Sequence, residues 1–194
     1  MVALKSSEFE SFLARGKQTI ALIFGPDSGL VRERAQALIG RAVDNPDDPF
    51  ALARLEGDSL ADTPDRLVEE AHTIPLFGGR RAVWVRSGGR SFVAAVEKLI
   101  AAPPAADCRV VIEAGDLGRT APLRTMCERA AVVAAIACYA DAERDLGRLI
   151  DEAMREAKLS ITPEARALLI SSLEYFDVPR NWRYCVARDK SLLL

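Results

Sequence analysis

Unbroken apolar runs and helical stripes alternate along the first two thirds of the chain. Within residues 5–15, Phe9, Phe12 and Leu13 share one helical face, and residues 19–25 (TIALIFG) form a β-branched and aromatic run that stops at Gly25-Pro26. Residues 28–43 set Leu30, Val31, Ala35, Leu38 and Ile39 at helical spacing with arginine and glutamate outside, and a short strand is expected around residues 50–55 after the polar loop DNPDDP. Thr63-Pro64 opens another helix, because proline suits the first helical position. Beyond IPLFGG come the strand RRAVWVR, a helix over 91–101, the strand CRVVIEA, a helix over 122–129 and the strand AAVVAAIA. Strands that are apolar throughout, rather than at every second position, are covered on both faces. Five of them separated by helices predict an α/β fold, a parallel sheet flanked by helices.

The strand signal ends near Tyr139–Asp141, which suggests a first domain over residues 1–140. Residues 142–158 then carry Leu146, Leu149, Ile150, Ala153 and Ala157 on one helical face, and Thr162-Pro163-Glu164 caps a second helix. Two helices ending at Ser172 are too few to close a core, so residues 141–173 are expected to be part of a small helical domain in which the chain stops. Residues 174–194 gather Tyr175, Phe176, Trp182 and Tyr184 after an aromatic-poor stretch. They read either as an interaction tail or, the favoured reading, as sequence foreign to the original reading frame.

Composition narrows the class. With 49% hydrophobic and 28% charged among 194 residues, the chain has the balance of a globular protein. No stretch approaches the roughly 20 apolar residues of a membrane span, and MVALKSSEFESF lacks the apolar core of a signal peptide, so a cytoplasmic location is expected. A net charge of −2 removes the case for a globally basic nucleic-acid binder. Cys108, Cys127, Cys138 and Cys185 form no C-x-x-C pair; buried thiols are expected, not a zinc ribbon or redox site.

The turn after the first long strand stands where a phosphate loop would. Gly25, Asp27, Ser28 and Gly29 are present, but the positions requiring glycine, lysine and a hydroxyl hold Leu30, Val31 and Arg32. Without them no cation meets the β- and γ-phosphates and no hydroxyl meets magnesium. The loop is expected to be nucleotide-incompetent, an ordinary helix start capped by Asp27 or Ser28. His72 has no nucleophile beside it, and Asp47-Asp48 and Glu69-Glu70 read as solvated charge, so no catalytic set and no metal site is expected.

Residues 72–81 (HTIPLFGGRR) are more informative. Pro75 and Gly78-Gly79 bracket Leu76 and Phe77 between a helix and a strand. The pair either folds back into the core or projects as a hydrophobic plug for a partner's pocket. Arg80, Arg81, Arg86 and Arg90 lie close in sequence, but a strand alternates faces, so they need not form one patch.

Taken with TIALIFGPDSGLVRERAQAL, CRVVIEAGDL and DAERDLGRLI, the segment TIPLFGGRRAVWV resembles the delta subunit of the bacterial DNA polymerase III clamp loader over about residues 1–173. The resemblance implies an AAA+-like domain with a degenerate nucleotide site, part of a helical lid, and no C-terminal collar. It implies a replication subunit without intrinsic enzymatic activity or cofactor, working within a DNA polymerase (nucleotidyltransferase) holoenzyme. Leu76 and Phe77 would enter a pocket of the sliding clamp (beta subunit), with Thr73, Ile74 and Pro75 shaping the loop, and so favour an open ring. Further implied partners are the gamma/tau and delta-prime subunits, held weakly without the collar, and primed DNA only within the assembled complex. The competing classes are a small P-loop-like NTPase or kinase, and a non-catalytic scaffold with Leu76 and Phe77 buried.

Overall fold

In a computed structural model, residues 3–4, 9–75, 78–139 and, further on, 147, 150–151, 153–155 and 157–175 are described. Two compact units divide the chain, Met1–Tyr139 and Ala140–Leu194.

The first unit is built on six parallel strands: β1 (Ala3–Leu4), β2 (Ile20–Phe24), β3 (Leu52–Glu56), β4 (Arg81–Arg86), β5 (Cys108–Glu113) and β6 (Val133–Ala137), in the order β1-β6-β2-β5-β4-β3. Between them run α1 (Phe9–Arg15), α2 (Ser28–Ala42), α3 (Gly57–Asp62), α4 (Asp65–His72), α5 (Val93–Ala101) and α6 (Pro122–Arg129). Successive side chains leave opposite faces of a strand, so each central strand feeds two cores. Ile20, Leu22 and Phe24 of β2 join Val83, Val85, Val110 and Ile112 in a core with Leu67 of α4, Leu99 of α5 and Leu123 of α6. Ala21 and Ile23, with Trp84 and Val111, meet Phe9 and Phe12 of α1 and Val31, Ala35 and Leu38 of α2. Both faces are covered, which is why β2 is apolar at all five positions.

The five long strands match the expected ones, and the departures from the sequence reading are local. β1 was not expected: only Ala3 and Leu4 take part, in register with Ala135 and Ile136. The strand expected at residues 50–55 starts at Leu52, leaving Phe50 exposed outside the sheet. The short helix α3 precedes the one expected at Thr63-Pro64, and α4 itself begins after Pro64. Arg34, expected on the outer face of α2, is 3% exposed. Its position is three residues after Val31 and four before Leu38, squarely on the apolar stripe. Its guanidinium stacks 4.9 Å from the Phe9 ring centroid and donates to the Ala137 carbonyl at 3.3 Å.

In the second unit the described residues 147, 150–151 and 153–155 are helical, within the helix expected over 142–158, and a further helix runs Pro163–Tyr175, with Thr162 Oγ1 accepting from the Ala165 N–H at 3.3 Å. Arg166 reaches back to both carboxylate oxygens of Asp151 at 2.8 and 2.9 Å. The aromatic residues after Tyr175, and Cys185, lie outside the described residues.

Candidate functional site

In a parallel sheet every strand ends on the same side, and in such folds ligands settle beyond the carboxyl ends. The turn from β2 into α2 lies there. Gly25 has φ +152°, and a Cβ on it would stand 2.3 Å from the Cys138 carbonyl oxygen, so only glycine lets β2 leave the sheet this close to the end of β6. Of the two expected cap residues, Asp27 is the one that acts: its Oδ1 accepts from the Leu30 N–H at 3.0 Å. Ser28 and Gly29 are the first two residues of α2. A carboxylate therefore occupies the helix N-terminus that would otherwise face a phosphate.

A cavity of about 340 Å³ opens beside this turn, lined by Ser28, Arg32, Glu56, Arg86, Ser87 and Glu113 among others. Its two cations are each held by a carboxylate. Arg32 Nε donates to Glu113 Oε1 at 2.9 Å, the other Glu113 oxygen accepts from Trp84 Nε1 at 3.0 Å, and the Arg32 guanidinium lies 5.3 Å from the Trp84 ring centroid. Arg86 pairs with Glu56 across β3 and β4. An entering phosphate would have to displace these carboxylates, and the lining carries no nucleophile–base pair. Sequence reasoning missed Glu113, because nothing local to CRVVIEA says that its last charge meets an arginine 81 residues earlier.

The other candidate segment, residues 73–80, sits at the amino end of β4, about 17 Å away at strand spacing. α4 ends as Thr73 Oγ1 donates back to the Glu69 carbonyl at 2.8 Å, while the exposed His72 Nδ1 lies 2.9 Å from the Val68 carbonyl oxygen. Ile74 then stands 86% exposed, and Pro75 is half-buried. Gly78 and Gly79 take φ +71° and +96°, and the Gly78 N–H donates to the Pro75 carbonyl at 3.1 Å. Leu76 and Phe77 lie outside the described residues.

Two consecutive arginines root this loop. Being successive at a strand start, they point apart. Arg80 donates to the Arg41 carbonyl at 3.1 Å and to Asp44 at 2.5 Å, whereas the buried Arg81 donates to the Phe50 carbonyl at 2.9 Å and to Glu70 Oε2 at 2.5 Å. Glu70 is thus half-buried and ion-paired, not the solvated charge its place on α4 suggested. Arg90 pairs with Asp62, lifting its own pKa and holding the Asp62 carboxyl below the usual range. Arg80, Arg81, Arg86 and Arg90 each have their own acidic partner and spread from one end of β4 to beyond the other.

The family profile described as DNA polymerase III, delta subunit, matches residues 22–114, a span that holds the degenerate turn, the cavity and the loop at 73–80. Over those residues the α/β unit resembles the DNA polymerase III delta subunit. The unit has an AAA+-like fold, a parallel sheet flanked by helices. The chain is similar to the Bacillus subtilis DNA clamp loader delta protein, with a TM-score of 0.59 at 20% identity over 84% of this chain and 51% of that one. It also matches a DNA polymerase III gamma subunit-related protein from Thermotoga maritima at 18% identity, with a TM-score of 0.47, over 77% of this chain and 52% of that one. The chain therefore spans about half the length of these solved proteins. No curated protein sequence matches it.

Among the described residues, no group of three or more His, Cys, Asp or Glu could hold a metal ion, and no helix is long and apolar enough to cross a membrane. Cys108, Cys127 and Cys138 are buried free thiols, and burial pushes them up to about 11, 12 and 11. Such thiols are inert at neutral pH.

Proposed function

We propose that this chain is a delta-type clamp loader subunit that docks on the sliding clamp without nucleotide and favours the open ring for loading onto primed DNA. The observation that carries the reading is the loop between α4 and β4, which lies inside the family match, presents Ile74 to solvent and is rooted on two ion-paired arginines. Leu76 and Phe77 are the plug that fills an apolar pocket of the clamp, and Thr73, Ile74 and Pro75 shape its approach. Docking opens the ring only as far as the loop binds the open form better than the closed one.

The same reading makes the chain a non-catalytic component of a cytoplasmic replication holoenzyme. The capped turn at Asp27 and the neutralised cavity support nucleotide independence and weigh against an NTPase or kinase. Residues 141–173 are part of the lid, residues 174–194 are an atypical tail, and gamma/tau and delta-prime are the subunits it assembles with.

The test is the Leu76→Ala/Phe77→Ala double variant, titrated calorimetrically against a bacterial sliding clamp. Two anchors of about 2 kcal/mol or more each make binding weaker by at least about a hundredfold, with the melting temperature nearly unchanged. Unchanged affinity with a melting temperature many degrees lower would mean a core pair, and the reading would fail.

A further inference from the structure

Phe50 is a large aromatic left 64% exposed. Its backbone is not loose: the Phe50 N–H donates to Asp48 Oδ1 at 2.9 Å, and the Asp48 carbonyl accepts from Ala51 and Leu52 at 3.1 and 3.0 Å. The ring is thus held in water by a well-bonded turn that forgoes its burial.

Its neighbour is the loop at 73–80. Leu52 is in register with Ala82, and the Ala82 N–H donates to the Ala51 carbonyl at 2.8 Å, so residue 50 lies beside the root of that loop. Arg81 joins the two segments directly. One branch of its guanidinium donates to the Phe50 carbonyl at 2.9 Å, and the other to Glu70, four residues before Ile74, at 2.5 Å. A single buried cation therefore fastens both segments that expose an apolar side chain on this end of the sheet.

We propose that Phe50 and Ile74 form one docking face, received by apolar surface on the sliding clamp, and that Arg81 is the positioning residue that sets the spacing between them. The inference rests on the clamp-docking reading, and continuity with that loop is what selects the clamp over a second copy of this chain. Phe50 precedes β3 and Ile74 lies on the loop before β4, so the two anchors flank adjacent paired strands, and whatever part of that face is already held in place costs no affinity on docking.

The full chain and its Phe50→Ser, Ile74→Ser and Leu76→Ala/Phe77→Ala variants are titrated against a bacterial sliding clamp, with melting temperature and sedimentation recorded for each. Phe50→Ser should weaken binding at least about tenfold without moving the melting temperature, since the ring is exposed. Glu70→Gln, which leaves the bond from Arg81 to the Phe50 carbonyl intact, should weaken binding several-fold alone and add little once Phe50 is already serine. If Phe50→Ser binds as wild type while the Leu76/Phe77 variant does not, this proposal falls and the clamp reading stands. A wild-type chain that does not bind the clamp, or a Leu76/Phe77 variant that binds unimpaired, overturns both. A Phe50→Ser chain that loses several degrees of melting temperature, or changes its self-association with clamp affinity intact, overturns the proposal in favour of a core ring or a second copy. Full additivity of Glu70→Gln with Phe50→Ser overturns the positioning role of Arg81.

Discussion

Glu113 is the acidic end of β5, and replacing it by alanine tests how the cavity at the carboxyl ends of the strands is held. Its carboxylate has two donors, Arg32 Nε at 2.9 Å and Trp84 Nε1 at 3.0 Å. They are unequal in energy. The Arg32 side chain is 39% exposed, so water recovers it when the partner goes, and that half of the interaction contributes at most about 1 kcal/mol. Trp84 is buried, so its indole N–H would be orphaned at a cost of about 1 to 3 kcal/mol. Glu113→Ala should therefore lower stability mainly through tryptophan. For a chain of this length each kcal/mol is roughly 2 to 4 °C in Tm. Glu113→Gln keeps an acceptor for the indole and should cost no more than about 1 kcal/mol. Urea unfolding followed by circular dichroism, with Trp84→Phe completing the cycle, isolates the orphaned donor: the double variant should be more stable than the two single losses predict, by about 1 to 2 kcal/mol. An additive cycle, or a glutamine as harmful as alanine, would refute the reasoning.

Two further expectations follow from the same unit. Gly25→Ala puts a Cβ 2.3 Å from the Cys138 carbonyl oxygen at a φ that side chains avoid, so it should cost about 2 kcal/mol or more, read as a lower Tm, whereas Gly40→Ala, open on its surface and helical, should be neutral or slightly stabilising. The three buried thiols make stability alkali-sensitive: unfolded cysteine ionises near 9, the folded groups only at about 11, 12 and 11, so the unfolded chain releases protons first and stability falls as pH rises above 9. By pH 10 the loss should be on the order of 1 kcal/mol per thiol, and a triple Cys→Ala variant should lack that slope in urea titrations.

What could be read from the sequence followed from how local each determinant is. The long strands announce themselves because a sheet covered on both faces leaves no polar position in runs such as IALIF. β1 does not, since two residues carry no period, and α3 is hidden because Gly57-Asp58-Ser59 has the look of a turn. Arg34 was legible but misread: its spacing already put it on the buried stripe, and only the habit of placing arginine outside moved it. The missing glycine, lysine and hydroxyl at Leu30, Val31 and Arg32 could be counted directly. That Arg32 meets Glu113, or that Arg81 joins Phe50 to Glu70, could not, because those pairings exist only once the register of β3, β4 and β5 is known.

The two borders of the sheet have different consequences for handling the protein. On the β3 side, Arg54 and Glu56 put charges along the rim, and Arg54 donates to the Pro46 carbonyl at 2.9 Å, a combination that repels an incoming strand. On the other side VAAIA of β6 has no charge, and among the described residues its outer edge pairs with Ala3 and Leu4. Whatever lifts those two residues away turns β6 into an adhesive ribbon able to pair with its equal in another molecule. Colloidal behaviour should thus depend on this two-residue cover: Leu4→Pro, which cannot keep a full strand pairing, should raise the turbidity of a stored solution, read by light scattering.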